Sequence, residues 1–434
     1  MNIPLKQNSL QQSRIAKAVA AAAILGVFFA VFGGPEHYFL AKTHLLFINN
    51  VPGVAAFVLF GGYYLQAMKR REVSKFMLFL LLIVVFYAVY GLGMSVKFIQ
   101  ASMGFYIWSY FLLGVLVAVY GKEDKLFKLM PVIWVISVFG VILNYFWEYP
   151  WIGENIVVAG TTMQAAVSWA AEGGIERLPG FSRASYAVAA HILLCCSYMM
   201  ISKRYPAFLK PIVFGLSCLA IFLTTSKTEL GLLVALPFPL FTYWGLKRLW
   251  PEGRAAFHYA RLVVAFMVCL VVFMPLTLST HQQTTKSTGA LFGFITGDTV
   301  IQRMTQMWPQ AFDIVEKNGN PVFGRGIGGI GTGLGMLDPR PETVNSADNL
   351  FVYVYVEGGA FLAIPLFLSF FIGLGDVYRK NVEYFEALWV ITCAVLGVAM
   401  MASAVEESVV AIFMGIIVAR GYIPLRQPEA STTA

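Results

Sequence analysis

The sequence predicts an all-α polytopic integral membrane protein with about 12 transmembrane helices, and three observations carry that reading. Of its 434 residues, 58% are hydrophobic and only 12% are Asp, Glu, Lys or Arg, whereas soluble domains carry roughly 25% charged residues. A water-soluble chain of this composition would expose apolar area over most of its surface, so the bilayer is its solvent. Apolar runs close to the roughly 20 residues needed to cross a hydrocarbon core recur along the chain. Basic residues concentrate in every second gap between those runs, as the positive-inside bias of membrane proteins requires.

Taken in order, the runs lie near 16–33, 51–67, 76–93, 104–120, 129–147, 184–201, 211–225, 229–246, 260–279, 349–374, 387–404 and 407–419. The first follows Lys6, Arg14 and Lys17 and suits an uncleaved signal anchor. Runs 211–225 and 229–246 are separated only by Ser226-Lys227-Thr228, which predicts a tight turn. The last two runs are similarly close. With the N-terminus in the cytoplasm and sides alternating, 21 of the 31 Lys and Arg residues face the cytoplasm, and both termini lie there. The net charge of +8 is then a topology signal, and no nucleic-acid partner is needed to explain it. Residues 1–434 form a single polytopic membrane domain with two long external segments, 148–183 and 280–348. The larger separates the ninth and tenth spans, and the cytoplasmic tail, 421–434, ends in the short disordered stretch RQPEASTTA. Loops of this length are usually functional, so the chemistry is expected on the external face.

The five cysteines, Cys195, Cys196, Cys218, Cys269 and Cys393, all lie inside apolar runs. No pair has metal-ligand spacing, and they read as small core hydrophobes. No His-x-x-x-His or Asp-x-Asp pattern occurs in an external segment, so neither a metal nor a cofactor is indicated. His191, two turns into the sixth run, reads as a buried polar contact.

Cations on the external side run against the topology bias and each needs a reason. Arg177 and Arg183 precede the sixth run, Lys227 occupies the tight outer turn, Arg303 lies in IQRMTQMW, and Arg325 lies in a glycine-rich stretch. Gathered at one boundary, five cations would clamp an anionic head group such as a diphosphate, a task suited to the forked guanidinium. Snorkelling to lipid head groups is the alternative for some of them, Arg183 and Lys227 in particular. Ser226 and Glu229 also match a capping box. Asp348 and Asn349 stand at the mouth of the tenth run, where Asp348 reads either as a proton acceptor or as a helix N-cap. Glu357 sits more than two turns further in. An intramembrane carboxylate at that depth is a functional hypothesis by default, but hydrogen bonding that fixes helix packing is the favoured reading here.

The stretch Gly324-Arg325-Gly326-Ile327-Gly328-Gly329 formally matches the Gly-x-Gly-x-x-Gly dinucleotide fingerprint. That fingerprint needs a preceding strand, a following helix and a cytosolic cofactor supply. Here it follows a predicted helix and the turn Asn318-Gly319-Asn320-Pro321 on the external side. Gly324 and Gly326 therefore read as supporting residues, providing permissive backbone that either presents Arg325 to the head group or packs the external segment.

In this order the motifs resemble the O-antigen ligase and Wzy-type polysaccharide polymerase family of bacterial membrane proteins. RLPGFSRASYAVA is similar to the family's Arg-x-x-Gly stretch leading into a helix. TTSKTELG is similar to its Ser-Arg-Gly turn, with Lys227 in place of arginine. RMTQMWPQAFDIVEKNGNPVFGRGIGG resembles its Arg…Trp…Pro-hydrophobic-Gly-x-Gly run. DNLFVYVYVEGG resembles its His-Asn…Glu-x-Gly helix start, with Asp348 where ligases usually have histidine. The resemblance spans roughly 170–375. It implies metal-independent glycosyl transfer between glycans carried on undecaprenyl diphosphate, at the periplasmic face of the bacterial inner membrane. Arg177 and Arg303 would hold the diphosphate, with Arg325, Lys227 and Arg183 as further ligands and Asp348 as acceptor base. The departure at Asp348 points to a polymerase of exopolysaccharide or O-antigen repeat units. A ligase transferring polymer to an acceptor is the alternative, followed by a flippase. Membrane lipids, a chain-length regulator and a flippase of the same pathway are the expected partners.

Overall fold

A computed structural model describes residues 5–70, 72–94, 96–158, 161–167, 176–250, 253–279, 298–332 and 347–423. Helices α1 (Leu5–Val31), α2 (Gly33–Lys42), α3 (Val51–Arg70), α4 (Lys75–Gly93), α5 (Phe98–Val119) and α6 (Glu123–Phe146) precede a short antiparallel hairpin of β1 (Asn155–Val158) and β2 (Thr161–Gln164). Then come α7 (Ser185–Ile201), α8 (Leu209–Leu223), α9 (Lys227–Ala235), α10 (Pro237–Leu249) and α11 (Arg254–Leu278). After them lie α12 (Asp298–Gln302), a π-helical turn (Arg303–Met307), α13 (Trp308–Asn318), α14 (Leu350–Lys380), α15 (Val382–Met401) and α16 (Ser408–Tyr422). The two segments read as loops thus carry structure of their own, a hairpin in 148–183 and helical turns in 280–348. Lys286, Arg340, His281 and most of the C-terminal tail lie outside the described residues.

The molecule is an all-α multi-pass membrane protein. Among the described residues, nine helical stretches are long and apolar enough to cross a membrane, with α9 and α10 forming one of them through Pro237 at the start of α10. The other three apolar runs become α7, α8 and α16, of only 17, 15 and 15 residues, at or below the lower limit for a span. Both α7 and α16 are buried almost throughout, which explains why they are apolar on every side. Helices α5 and α16 cross closely. A Cβ on Gly114 would strike the Ile412 carbonyl, and one on Gly415 the Phe111 carbonyl. Small residues at a crossing let two backbones approach where lipid gives no hydrophobic drive for association.

At one end of the bundle Arg420, at the C-terminal end of α16, is buried and donates from Nε to Glu123 Oε1 at 2.6 Å and from Nη2 to the Ala118 carbonyl at 2.9 Å. Tyr384 donates its hydroxyl to the same carboxylate oxygen at 3.0 Å. The topology scheme counts Arg420 among the cytoplasmic charges, but its task here is to tie α6, α15 and α16. Removal of one partner from such a buried pair is costly because the other is left uncompensated.

Helix α14 is broken at Gly359, whose φ of 58° and ψ of −161° lie outside helical space. The backbone groups exposed by the break are taken up by the glycine-rich segment. Ala360 N–H donates to Pro321 O (3.0 Å) and Phe361 N–H to Val322 O (2.9 Å). In return Arg325 N–H reaches Val356 O (2.7 Å) and Gly326 N–H reaches Glu357 O (2.9 Å). Irregular backbone inside a membrane protein is tolerated only when protein satisfies it in this way.

Candidate functional site

At the end of the bundle opposite the Arg420–Glu123 pair, the C-terminal ends of α11 and α15 meet the N-terminal ends of α7, α14 and α16. Asn349 anchors this junction. Its side-chain oxygen accepts from Val352 N–H at 3.1 Å and caps α14, and its Nδ2 donates to Val271 O (3.1 Å) on α11 and Met400 O (3.2 Å) on α15. The N-cap is therefore Asn349, which corrects the alternative of a cap at Asp348. Asp348 precedes it with φ of 42°, a left-handed conformation uncommon for a side-chain-bearing residue and most tolerable for Asp or Asn. Such strain persists where surrounding structure over-determines it, here through the three bonds of Asn349.

Arg303 opens the π-helical turn and sends both Nε and Nη2 to Asp348 Oδ2, each at 3.0 Å, while Nη1 lies 4.0 Å from Met401 Sδ. Both side chains of this pair keep some exposure, 17% and 27%. π-turns recur at functional sites because the wider turn re-aims a side chain. On the neighbouring helix start, Thr225 also has positive φ, 57°, leading into Lys227, the first residue of α9. Lys227 is half-buried, and Glu229 is buried within electrostatic reach of Arg303. Ser226 stands at the N-cap of α9 without a side-chain capping bond, so the capping box does not form.

The remaining cations do not share this contact. Arg177 lines a separate cavity of about 780 Å³ with Asn144, Trp147, Glu148 and Thr225, and its buried Nε has no hydrogen-bond partner among the described residues. Arg325 turns back on its own loop, donating to Gly329 O at 3.3 Å. Gly324, Gly326 and Gly328, with φ of 71°, 107° and 83°, are buried among α4, α5 and α14. The glycine stretch is thus a clasp between helices, which accords with the second of its two readings, packing of the external segment. Glu357 completes the clasp, buried and accepting from Trp108 Nε1 (2.6 Å) on α5 and from Gly328 N–H (2.8 Å).

The turn between α15 and α16 contributes two carboxylates that sequence reasoning missed. Glu406 Oε1 accepts from Thr332 N–H at 2.7 Å, and Glu407 Oε1 lies 2.8 Å from His191 Nε2. Both line a second cavity of about 300 Å³ together with Arg183. The sequence does mark them, as an acidic pair between two apolar runs, but so short a gap reads as a simple turn. Arg183 donates to the Met163 thioether at 3.7 Å and forms no ion pair among the described residues. Burial pushes its guanidinium below the usual range, partly offset by nearby groups including Glu406.

Partial burial, reinforced by the Asp348 carboxylate, pushes the Glu406 pKa up to about 7, against hydrogen bonds from Thr332 and the charge of Arg183. A carboxyl group raised above its ordinary value holds its proton to higher pH in the folded than in the unfolded chain. Its contribution to stability is complete below about pH 4.5 and is lost as pH rises through about 7. Glu406→Gln, which keeps the oxygen that accepts from Thr332 and removes the titration, should flatten the fall in melting temperature between pH 5 and pH 8. An unchanged slope in the variant would show that Glu406 does not titrate in that window.

Residues 212–367 match the family model described as O-antigen ligase. This segment carries an O-antigen ligase-type domain. The match runs from α8 into α14 and takes in Lys227, Arg303, Arg325, Asp348, Asn349 and Glu357. Glycosyl transfer is the general chemistry that this domain implies, in a multi-pass membrane protein. No curated protein and no solved structure matches the chain.

Proposed function

We propose that this O-antigen ligase-type protein polymerises oligosaccharide repeat units carried on undecaprenyl diphosphate, at the periplasmic face of the bacterial inner membrane. The observation that carries the reading is the Arg303–Asp348 pair, held in a strained backbone at a junction of helix ends. The acceptor hydroxyl attacks the anomeric carbon of the donor, the bond to the lipid diphosphate breaks, and negative charge grows on the leaving phosphate. Arg303 meets that charge, with Lys227 on the helix start whose Glu229 lies within electrostatic reach of Arg303, and Arg177, whose buried Nε is an orphan donor, further along the donor's path. A diphosphate competes with Asp348 for Arg303, so donor binding frees the carboxylate to accept the hydroxyl proton. Activation of the base is thereby tied to the presence of its substrate.

The basic bias of alternate loops supports cytoplasmic termini and a periplasmic site, where a chain-length regulator and a flippase of the same pathway are the partners. The description of the matching family favours a second reading, a ligase passing finished polymer to another acceptor. Lipid-linked glycans from a deletion strain separate the two. Single repeat units on the outer leaflet are expected. Long polymer retained on the lipid would assign ligase activity instead, and units confined to the cytoplasmic leaflet would assign transport.

A further inference from the structure

The cavity of about 300 Å³ beside the Arg303–Asp348 pair has a lining unlike that of a diphosphate clamp. Glu406, Glu407 and Arg183 line it together with Asn49, Tyr106 and Tyr186. With Glu407 and a partly protonated Glu406 in its wall, Arg183 leaves the cavity without the net positive charge that a diphosphate needs. Mixed carboxylate, amide, guanidinium and aromatic groups are suited instead to a polyol, whose hydroxyls both donate and accept and whose C–H faces lie against rings.

The polar groups are held in place. Thr332 N–H fixes Glu406, His191 fixes Glu407, and the Tyr106 hydroxyl bonds the Asn49 carbonyl at 3.2 Å. Each carboxylate has capacity for further hydrogen bonds beyond the one it accepts from the protein. Arg183 meets only a weak thioether acceptor at 3.7 Å and no carboxylate within ion-pair distance among the described residues, so most of its donors are available to a ligand. The volume lies at the lower end of small-molecule sites, about 300–1,000 Å³, and accommodates the terminal sugars of a glycan. Arg303 Nη1 lies 4.0 Å from Met401 Sδ, and Met401 ends α15 just before the turn that carries Glu406 and Glu407, so the cavity lies close to the proposed reacting groups.

The geometry points to this cavity as the acceptor-glycan subsite, in which Glu406, Glu407 and Arg183 hold hydroxyls of the terminal sugar and present the attacking one to Asp348. The inference rests on the glycosyl-transfer reading above and moves Arg183 from the diphosphate to the acceptor. Glu406 and Glu407 are positioning residues, since the proton passes to Asp348.

The test uses the full chain purified in detergent and a lipid-free single-repeat oligosaccharide prepared from the host's own polysaccharide. Titration calorimetry should detect binding to the wild type, a loss of at least about tenfold in Glu406→Gln and Arg183→Met, and unchanged affinity in Gly61→Ala, where nothing lies within 4 Å of an added Cβ. Melting temperature and size-exclusion profile at the titration pH establish that each variant is folded. If either cavity variant misfolds, Tyr186→Phe and Tyr186→Ala replace it, with binding kept by the ring and lost without it. Wild-type affinity in folded Glu406→Gln and Arg183→Met would overturn the subsite, as would no binding to the wild type. Binding lost in the cavity variants while Arg303→Ala retains normal chain growth would uphold the subsite and defeat the proposed reaction centre.

Discussion

Arg303→Ala should abolish glycan chain growth while leaving the amount of protein in the membrane unchanged. The guanidinium makes two 3.0 Å contacts to Asp348, and because the pair is partly exposed, its loss costs only about 1 kcal/mol of stability. Loss of a donor to the leaving phosphate costs far more in rate, on the order of 10²–10³-fold for one preorganised donor. Arg303→Lys should recover only a small part of the activity, since an ammonium keeps the charge without the fork. Gel analysis of polysaccharide length beside immunodetection of the protein is the check. Chain lengths matching the wild type in Arg303→Ala would remove this residue from the reaction centre.

The largest effect on folding is expected from Gly324→Ala. Gly324 has φ of 71°, and a Cβ there would lie 2.6 Å from the backbone of Glu357 and Gly358. The left-handed backbone and the overpacking together should cost roughly 2–5 kcal/mol. The damage falls on the contact that satisfies the broken α14, so the variant should lose most of its monodisperse material on size exclusion in detergent and melt at lower temperature. Gly61→Ala supplies the contrast, because nothing lies within 4 Å of a Cβ there and alanine favours the helix. Equal melting temperatures for Gly324→Ala and the wild type would show that the clasp does not support α14.

Legibility of the fold followed the range of the interactions involved. Apolar length is a property of consecutive residues, so all twelve runs emerge as helices near their expected positions. What the runs do not specify is their burial. Helices α7 and α16 are apolar because protein surrounds them, and composition cannot distinguish a protein environment from a lipid one. Arg420 shows the same limit, since a basic residue beside an apolar run looks identical whether it faces water or a buried Glu123. At the site, Arg303, Asp348 and Asn349 stand out as polar residues at the ends of apolar runs. Glu406 and Glu407 do not, because their importance comes from Arg183, Thr332 and His191, all distant in sequence.

The amino-acid sequence by itself determined a multi-pass helical membrane protein, the runs that build it and the polar residues at their ends, because hydrophobic length and charge bias act locally along the chain. Only the tertiary structure decided that Asn349 caps α14, that Asp348 meets Arg303, that Arg177 and Arg183 occupy different cavities, and that the glycine stretch closes a broken helix. Each of these depends on hydrogen bonds and close approaches between helices far apart in sequence, where a difference of one ångström decides whether two groups pair.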